Sequence, residues 1–319
     1  MWNICGHRLN VGEKRQVIIE PNVEGYEIPT TLICGKEQGK TLLVTAGIHS
    51  GEYPGVPAVI RLAKELDPEN IKGKIILMHC VNTSGFWKRS PGMIPEDGFN
   101  LNGDYPGKAD GTTGERIADY FIQNLFPNVD FILDLHSGGP TEPMTPCLFF
   151  PNKETVREEA VAAAKALDVP YLLASTAYKG EYSYAANYFD VPGLLVERGY
   201  CGCCKEEWIQ AYHKDIRLLM DHLNICKMDG EKAIYKKKIY EKTIYLTANE
   251  SGLWYPYIRE DQKVTAGQAL GRIEDFWGNL IAEYFAQEDG RVFYYTSGLA
   301  VTPGFPLVAY GIEESSRCC

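Results

Sequence analysis

The sequence predicts an α/β fold, a mixed and mostly parallel sheet flanked by helices, with a small all-β domain at its C-terminal end. Three observations predict it. Apolar runs of strand length alternate with helix-like stretches over the first two-thirds of the chain. Those strands are apolar throughout instead of at every second position, as strands covered on both faces are. After about Gly230 helical periodicity stops, and short β-type runs separated by turn residues take over.

In chain order, strands are expected at Thr41–Ala46, Lys74–Val81, Phe131–Leu135, Tyr171–Ala174 and Gly193–Val196. Helices are expected between and after them, at Pro57–Leu66, Thr113–Leu125, Lys153–Leu167 and Glu206–Leu223. The last carries Ile209, Tyr212, Ile216, Leu219 and Leu223 at steps of three and four, which puts them on one face. The β-type runs are Lys238–Leu246, Leu253–Tyr257, Gly267–Ile273, Leu280–Ala286, Arg291–Tyr295 and Pro306–Tyr310. Glycines such as Gly252, Gly278 and Gly290 punctuate them. The boundary is expected within 227–240, giving an α/β domain over 1–230 and a β domain over 231–319.

Composition narrows the function classes. The 319 residues are 45% hydrophobic and 23% charged, ordinary for a chain that buries a core. A net charge of −10 repels phosphate backbones, so no nucleic-acid partner is expected. No apolar stretch reaches the length of a membrane span, and Met1–Arg15 does not read as a signal peptide. The 10 cysteines are therefore expected as reduced thiols in a cytoplasmic protein. Cys201-Gly202-Cys203-Cys204 matches no standard zinc knuckle and reads as the approach to the Glu206 helix.

Three strand ends carry chemistry. Thr45-Ala46-Gly47-Ile48-His49-Ser50-Gly51-Glu52 ends a buried strand in a turn bearing an imidazole and a carboxylate. Sites in α/β sheets gather at such carboxyl ends, and both groups are zinc ligands. Phe131–Gly139 has the same grammar, with His136 at the strand end and Asp134 two residues earlier on the same face. Asp134 reads equally well as a strand-end hydrogen bonder or as a group orienting the His136 ring. Two histidines and one glutamate leave a fourth position open for water, as in catalytic zinc sites. Glu197 closes the apolar run Gly193–Val196 and suits a general base; the plainer alternative pairs it with Arg198.

In this order, the motifs resemble the succinylglutamate desuccinylase/aspartoacylase family, a deacylase branch of the zinc carboxypeptidase fold. The resemblance runs from about Gly35 to Gly311. It implies one zinc ion per chain held by His49, Glu52 and His136, with Glu197 of Glu197-Arg198-Gly199 as the catalytic base. It assigns the carbonyl-polarising arginine to Arg89, ahead of Pro95-Glu96-Asp97-Gly98, with Lys88 as competitor, and substrate binding to Arg89 and Asn102. The chain departs from the family in one place. Where the family reads Asn-Arg to clamp a substrate carboxylate, this chain reads Asn102-Gly103-Asp104. Glycine supplies neither charge nor a bidentate fork. Either the substrate lacks that carboxylate, or another cation such as Lys108 or Arg198 fills the gap.

The expected function is thus a zinc-dependent amidohydrolase acting on linear amides, removing the acyl group from a small N-acylated amine or amino acid. Water at the open metal position attacks the carbonyl after losing a proton to Glu197. The competing readings are a zinc carboxypeptidase acting on peptides and a non-catalytic binding protein that keeps the fold. The partner expected is the small acylated substrate; homo-oligomerisation is left open.

Overall fold

The computed structural model describes residues 1–227 and 232–313. A short hairpin of β1 (Trp2–Ile4) and β2 (His7–Leu9) precedes the main sheet. That sheet is built from β3 (Glu13–Ile19), β4 (Ile28–Cys34), β5 (Glu37–Ala46), β6 (Lys72–Met78), β7 (Phe131–His136), β8 (Cys147–Pro151), β9 (Tyr171–Ser175), β10 (Gly193–Glu197) and β11 (Lys238–Tyr240). Its nine strands run in the order β11-β9-β8-β10-β7-β5-β6-β4-β3. Pairing is parallel along β6–β5–β7–β10 and along β8–β9–β11, and antiparallel at β3–β4–β6 and β8–β10. The sheet is therefore mixed, with a parallel centre.

Helices cover both faces. α1 (Gly55–Glu65), α4 (Glu154–Ala166) and α6 (Glu206–His222) pack on one side, burying Leu62, Ala163, Ile216 and Leu219 against Val44, Leu133 and Val196. On the other side lie α3 (Thr113–Asn124) and α5 (Glu181–Phe189), with Phe121 and Ala185 against Leu43, Ile132 and Leu195. Every residue of β7 and β10 is buried, which explains the apolar runs Phe131–Leu133 and Gly193–Val196 within them. Each fully buried Leu or Ile there contributes roughly 1.5–3 kcal/mol from apolar burial. A short helix, α2 (Thr83–Lys88), follows β6 and is capped by the Asn82 side chain on the Gly85 N–H.

The C-terminal region forms two four-stranded antiparallel sheets. One holds β12 (Thr243–Thr247), β14 (Lys263–Val264), β17 (Gly290–Tyr295) and β19 (Pro306–Ile312); the other holds β13 (Gly252–Pro256), β15 (Ala269–Glu274), β16 (Leu280–Phe285) and β18 (Ala300–Val301). Trp254, Leu270, Ile273, Val292 and Leu307 make their shared core.

The expected run Lys238–Leu246 divides in two. Tyr240 packs its ring against Tyr171 and Phe293, with centroids 6.0 and 5.0 Å away, which fixes β11 to the large sheet. The chain then turns at Glu241-Lys242 and enters the other sheet as β12. The expected boundary near residue 230 lies outside the described residues, as do Cys318 and Cys319. The cysteines within them are free thiols. Among the described residues no helix is long and apolar enough to cross a membrane.

Candidate active site

The three strand ends singled out by sequence lie side by side. β5, β7 and β10 are parallel neighbours, with Ala46 opposite Leu135 and Glu197 opposite His136. Their carboxyl ends therefore open into one crevice. Beyond β5 the chain turns at Gly47, whose φ of 66° and 2.8 Å approach to the Cys80 sulfur at the Cβ position leave room only for glycine. The turn is closed by the Glu52 N–H donating to the His49 carbonyl at 3.1 Å.

Within the crevice both histidines turn Nδ1 towards Glu52. His49 Nδ1 is 2.8 Å from Oε1, and His136 Nδ1 is 2.9 Å from Oε2. One ligand atom from each residue lies within 4.8 Å of the others, a spacing one cation can bridge. The rings meet edge to face, with centroids 4.9 Å apart. Their outer nitrogens are held separately: His49 Nε2 by Asn100 Oδ1 at 3.0 Å, and His136 Nε2 by Asp134 Oδ2 at 2.8 Å. Asn100 Oδ1 also accepts from the Asn102 N–H at 2.8 Å, which fixes the amide with its oxygen towards the ring.

The donor set fits a divalent cation. Asn100 Oδ1 and Asp134 Oδ2 only accept, so each Nε2 carries a hydrogen. The two Nδ1 atoms then face a carboxylate, which offers lone pairs alone. Those contacts require positive charge between them, supplied as protons or as one metal ion. Burial opposes charge on His136, yet Asp134 and Glu52 together hold its pKa well above the ordinary value. Burial likewise pushes Glu52 up, and the two imidazoles more than reverse it. The Ser137 N–H adds a hydrogen bond to Glu52 Oε2 at 2.9 Å.

Glu197 stands beside His136 and is only 8% exposed. Its Oε2 has no hydrogen-bond partner among the described residues. Burial, reinforced by the nearby Glu52 charge, raises its pKa well above the carboxylate range. A cation in the cluster would pull it back down. Arg198 does not pair with it. That guanidinium turns to the far side, donating to Asp215 Oδ2 at 2.6 Å and to the Asp168 carbonyl at 2.8 Å. The Tyr212 hydroxyl ties this turn together, accepting from the Arg198 N–H at 2.7 Å and donating to the His136 carbonyl.

Arg198 is thus not free to replace the arginine lost at Gly103. Lys108 is 71% exposed and pairs with Glu115 at 3.5 Å. Arg89 is exposed at the C-cap of α2 in the left-handed region, φ 57°, without a side-chain partner among the described residues. The stretch just after it is bonded to the ligand turn, through Ser50 to the Ser90 carbonyl and Gly51 N–H to the Pro91 carbonyl at 3.1 Å. Asn102 packs its side chain against Gly180 at the start of α5, so its described tie to the cluster runs through its backbone. Among the other histidines, His79 is bonded to Thr31 at 3.0 Å, His213 to Glu65 at 2.8 Å and His7 to the Ile18 carbonyl at 3.2 Å.

The model of the succinylglutamate desuccinylase/aspartoacylase catalytic domain matches residues 38–223 of this chain. The chain belongs to this family. N-alpha-acetyl-L-2,4-diaminobutyric acid deacetylase of Halomonas elongata is 30% identical over 274 residues, covering 82% of this chain and 79% of that protein. The product-bound structure of the ectoine utilization protein EutE (DoeB) from Ruegeria pomeroyi superposes with a TM-score of 0.81 at 26% identity, covering 90% of this chain and 89% of that one. The fold is shared as well by a succinylglutamate desuccinylase/aspartoacylase from Rhodobacter sphaeroides, with a TM-score of 0.81, 22% identity and coverage of 94% and 96%.

All the residues of the cluster fall inside the matched segment. Sequence reasoning missed Asn100, two positions before the asparagine it chose, and Glu142. The latter lies on the loop after His136, where the Gly139 N–H donates to its Oε2 at 3.1 Å. Burial, opposed by that N–H, raises the Glu142 pKa, and Glu52 adds to the rise. Met144, on the loop after His136, forms a β-bridge with Tyr294 of β17, so the C-terminal sheets form part of the surroundings. No local motif marks these groups; only the return of the C-terminal strands onto the His136 loop brings them in.

Proposed function

We propose that this chain is a zinc-dependent deacylase that hydrolyses the amide bond of a small N-acylated amine or amino acid, with His49, Glu52 and His136 as ligands and Glu197 as the base. One observation carries the reading: two imidazoles with their outer N–H groups already committed turn their free nitrogens onto one carboxylate, beside an acid with an unpartnered oxygen. Two nitrogens and one oxygen suit zinc and leave a coordination position open. When bound, the ion supplies Lewis-acid polarisation of the substrate carbonyl and lowers the pKa of water towards neutrality.

The protein's own groups do the rest. Glu197 Oε2 takes a proton from the attacking water and returns it to the leaving nitrogen, a shuttle suited to a buried acid next to a cation. Arg89 meets the negative charge that develops on the carbonyl oxygen. Asn100 and Asp134 hold the two rings in the tautomer that frees Nδ1. The substrate is read without an arginine clamp. With Gly103 in that position and Arg198 bound to Asp215, N-acylated amines that carry no acidic group fit better than acyl dicarboxylates. The free thiols of the described cysteines accord with a cytoplasmic setting.

The test is metal analysis of the purified protein followed by an amine-release assay over N-acetyl and N-succinyl amines, diamines and amino acids. Glu197→Gln is expected to keep zinc while slowing turnover by about 10²–10⁴, the range for a lost acid–base group. Turnover near the parent rate in that variant removes Glu197 from the mechanism, and a protein that binds no divalent ion defeats the reading altogether.

A further inference from the structure

Behind His136 the structure buries more carboxylates than its hydrogens can serve. Thr45 Oγ1 is 3.0 Å from Asp134 Oδ1 and also 3.0 Å from Glu181 Oε2. A hydroxyl has one hydrogen to give. Were both acids ionised, one of these contacts would set lone pair against lone pair. Asp134 and Glu181 are each 0% exposed, so water cannot relieve it. One further proton resolves the arrangement.

The surroundings say which acid holds it. Asp134 Oδ2 accepts from His136 Nε2 at 2.8 Å, an interaction strongest for the ionised acid. Glu181 has no cationic partner within ion-pair distance among the described residues, and its Oε1 has no hydrogen-bond partner there. Burial, with the Asp134 charge beside it, raises the Glu181 pKa well above the ordinary carboxylate value. Glu181 is the first residue of α5, and a helix N-terminus favours negative charge. That effect is small beside the cost of an unpaired buried carboxylate.

We infer that Glu181 is a positioning residue: as the neutral acid it donates to Thr45, Thr45 donates to Asp134, and Asp134 locks the His136 ring with Nδ1 turned to the cation site. Each hydrogen in this chain is used once, and each acceptor it reaches is satisfied. The inference rests on the reading of His136 as a metal ligand. It goes beyond that reading by giving a task to a residue of α5 that lies outside the His49–Glu52–His136 cluster.

Two measurements on the full chain test it. In the first, Zn²⁺ affinity of the metal-stripped protein is read by competition with a chromophoric chelator. Glu181→Leu, which removes the hydrogen, is expected to bind Zn²⁺ about tenfold more weakly, the lower end of the usual effect of losing a residue behind a ligand. Glu181→Gln keeps the shape, and its amide N–H still donates to Thr45, so its affinity is expected within about threefold of the parent. Unchanged affinity in Glu181→Leu, or a loss in Glu181→Gln equal to that in Glu181→Leu, overturns the inference.

The second needs no metal and no disruptive variant. An infrared difference spectrum of parent minus Glu181→Gln at pH 7 is expected to show the carbonyl stretch of one protonated carboxylic acid. Its absence, or an ionised-carboxylate band in its place, overturns the inference. A parent that binds no Zn²⁺ defeats the metal-site reading and the positioning role with it, while the infrared band still reports where the proton sits.

Discussion

Asn100→Ala isolates what the amide behind His49 contributes. The substitution removes one oxygen that accepts from His49 Nε2 at 3.0 Å and from the Asn102 N–H at 2.8 Å. Groups that orient a metal-bound imidazole typically alter affinity by about 10–100-fold, or roughly 1.4–2.7 kcal/mol. The structure decides where in that range this one falls. The His49 side chain is 19% exposed, so solvent can partly replace the lost acceptor, whereas the His136 side chain at 1% has no such recourse. About tenfold weaker Zn²⁺ binding is therefore expected for Asn100→Ala, near the bottom of the usual range. Asn100→Asp keeps an acceptor in place and is expected to recover most of the loss. Chelator competition on metal-stripped protein measures both. If Asn100→Ala binds Zn²⁺ as tightly as the parent, the argument that Asn100 sets the His49 tautomer is wrong.

Other outcomes follow from the same geometry. Arg89→Ala is expected to lower kcat/KM by about 10²–10³ with zinc content unchanged, as for the loss of one oxyanion donor, and unaltered steady-state kinetics would exclude Arg89 from the reaction. Asp215→Ala strands the buried Arg198 guanidinium and is expected to cost about 3–5 kcal/mol in denaturant unfolding; a change below 1 kcal/mol would show that the pair contributes little. Asp168 supplies a pH dependence. Burial raises its carboxyl, but Lys214 and the Ile234 and Tyr235 N–H groups outweigh this and hold its pKa below the ordinary value. The unfolded chain therefore takes up that proton first as pH falls. The stabilisation is complete above the unfolded value of about 3.9 and disappears as pH drops through the lower folded value. Asp168→Asn should make the fall in unfolding free energy between about pH 5 and pH 3 shallower, and an unchanged slope in urea titrations counts against it.

Where burial was two-sided, the sequence was easy to read. The buried runs Leu42–Ala46, Phe131–Leu133 and Gly193–Val196 lie at the centre of the sheet, and the polar residues at or just past their ends, His49, His136 and Glu197, converge in space. The edges were not legible. β3 is an edge strand whose Glu13, Lys14, Arg15 and Gln16 face solvent for much of their surface, so it lacks an apolar signature. α5 begins with an acid that is fully buried, against every compositional expectation for glutamate. Within Asn100-Leu101-Asn102, periodicity cannot say which asparagine faces His49, because backbone geometry in a loop decides it. Arg198 shows the limit from the other side. Sequence adjacency offered it to Glu197 or to a substrate carboxylate, yet the strand end turns it away to Asp215, seventeen residues further along.

The loop that follows His136 is fastened to strands made much later in the chain. Thr145 donates from its N–H to the Phe293 carbonyl at 2.7 Å and from its hydroxyl to the Val292 carbonyl at 2.9 Å, 147 positions downstream. The Ser297 N–H returns to the Thr141 carbonyl at 2.7 Å. Because synthesis proceeds from the N-terminus, β7 and its histidine leave the ribosome well before these anchors exist. A nascent chain can form the parallel centre of its sheet and still lack the fastening that holds the loop after His136. The loop beyond His136 is thus secured only once the final strands have docked.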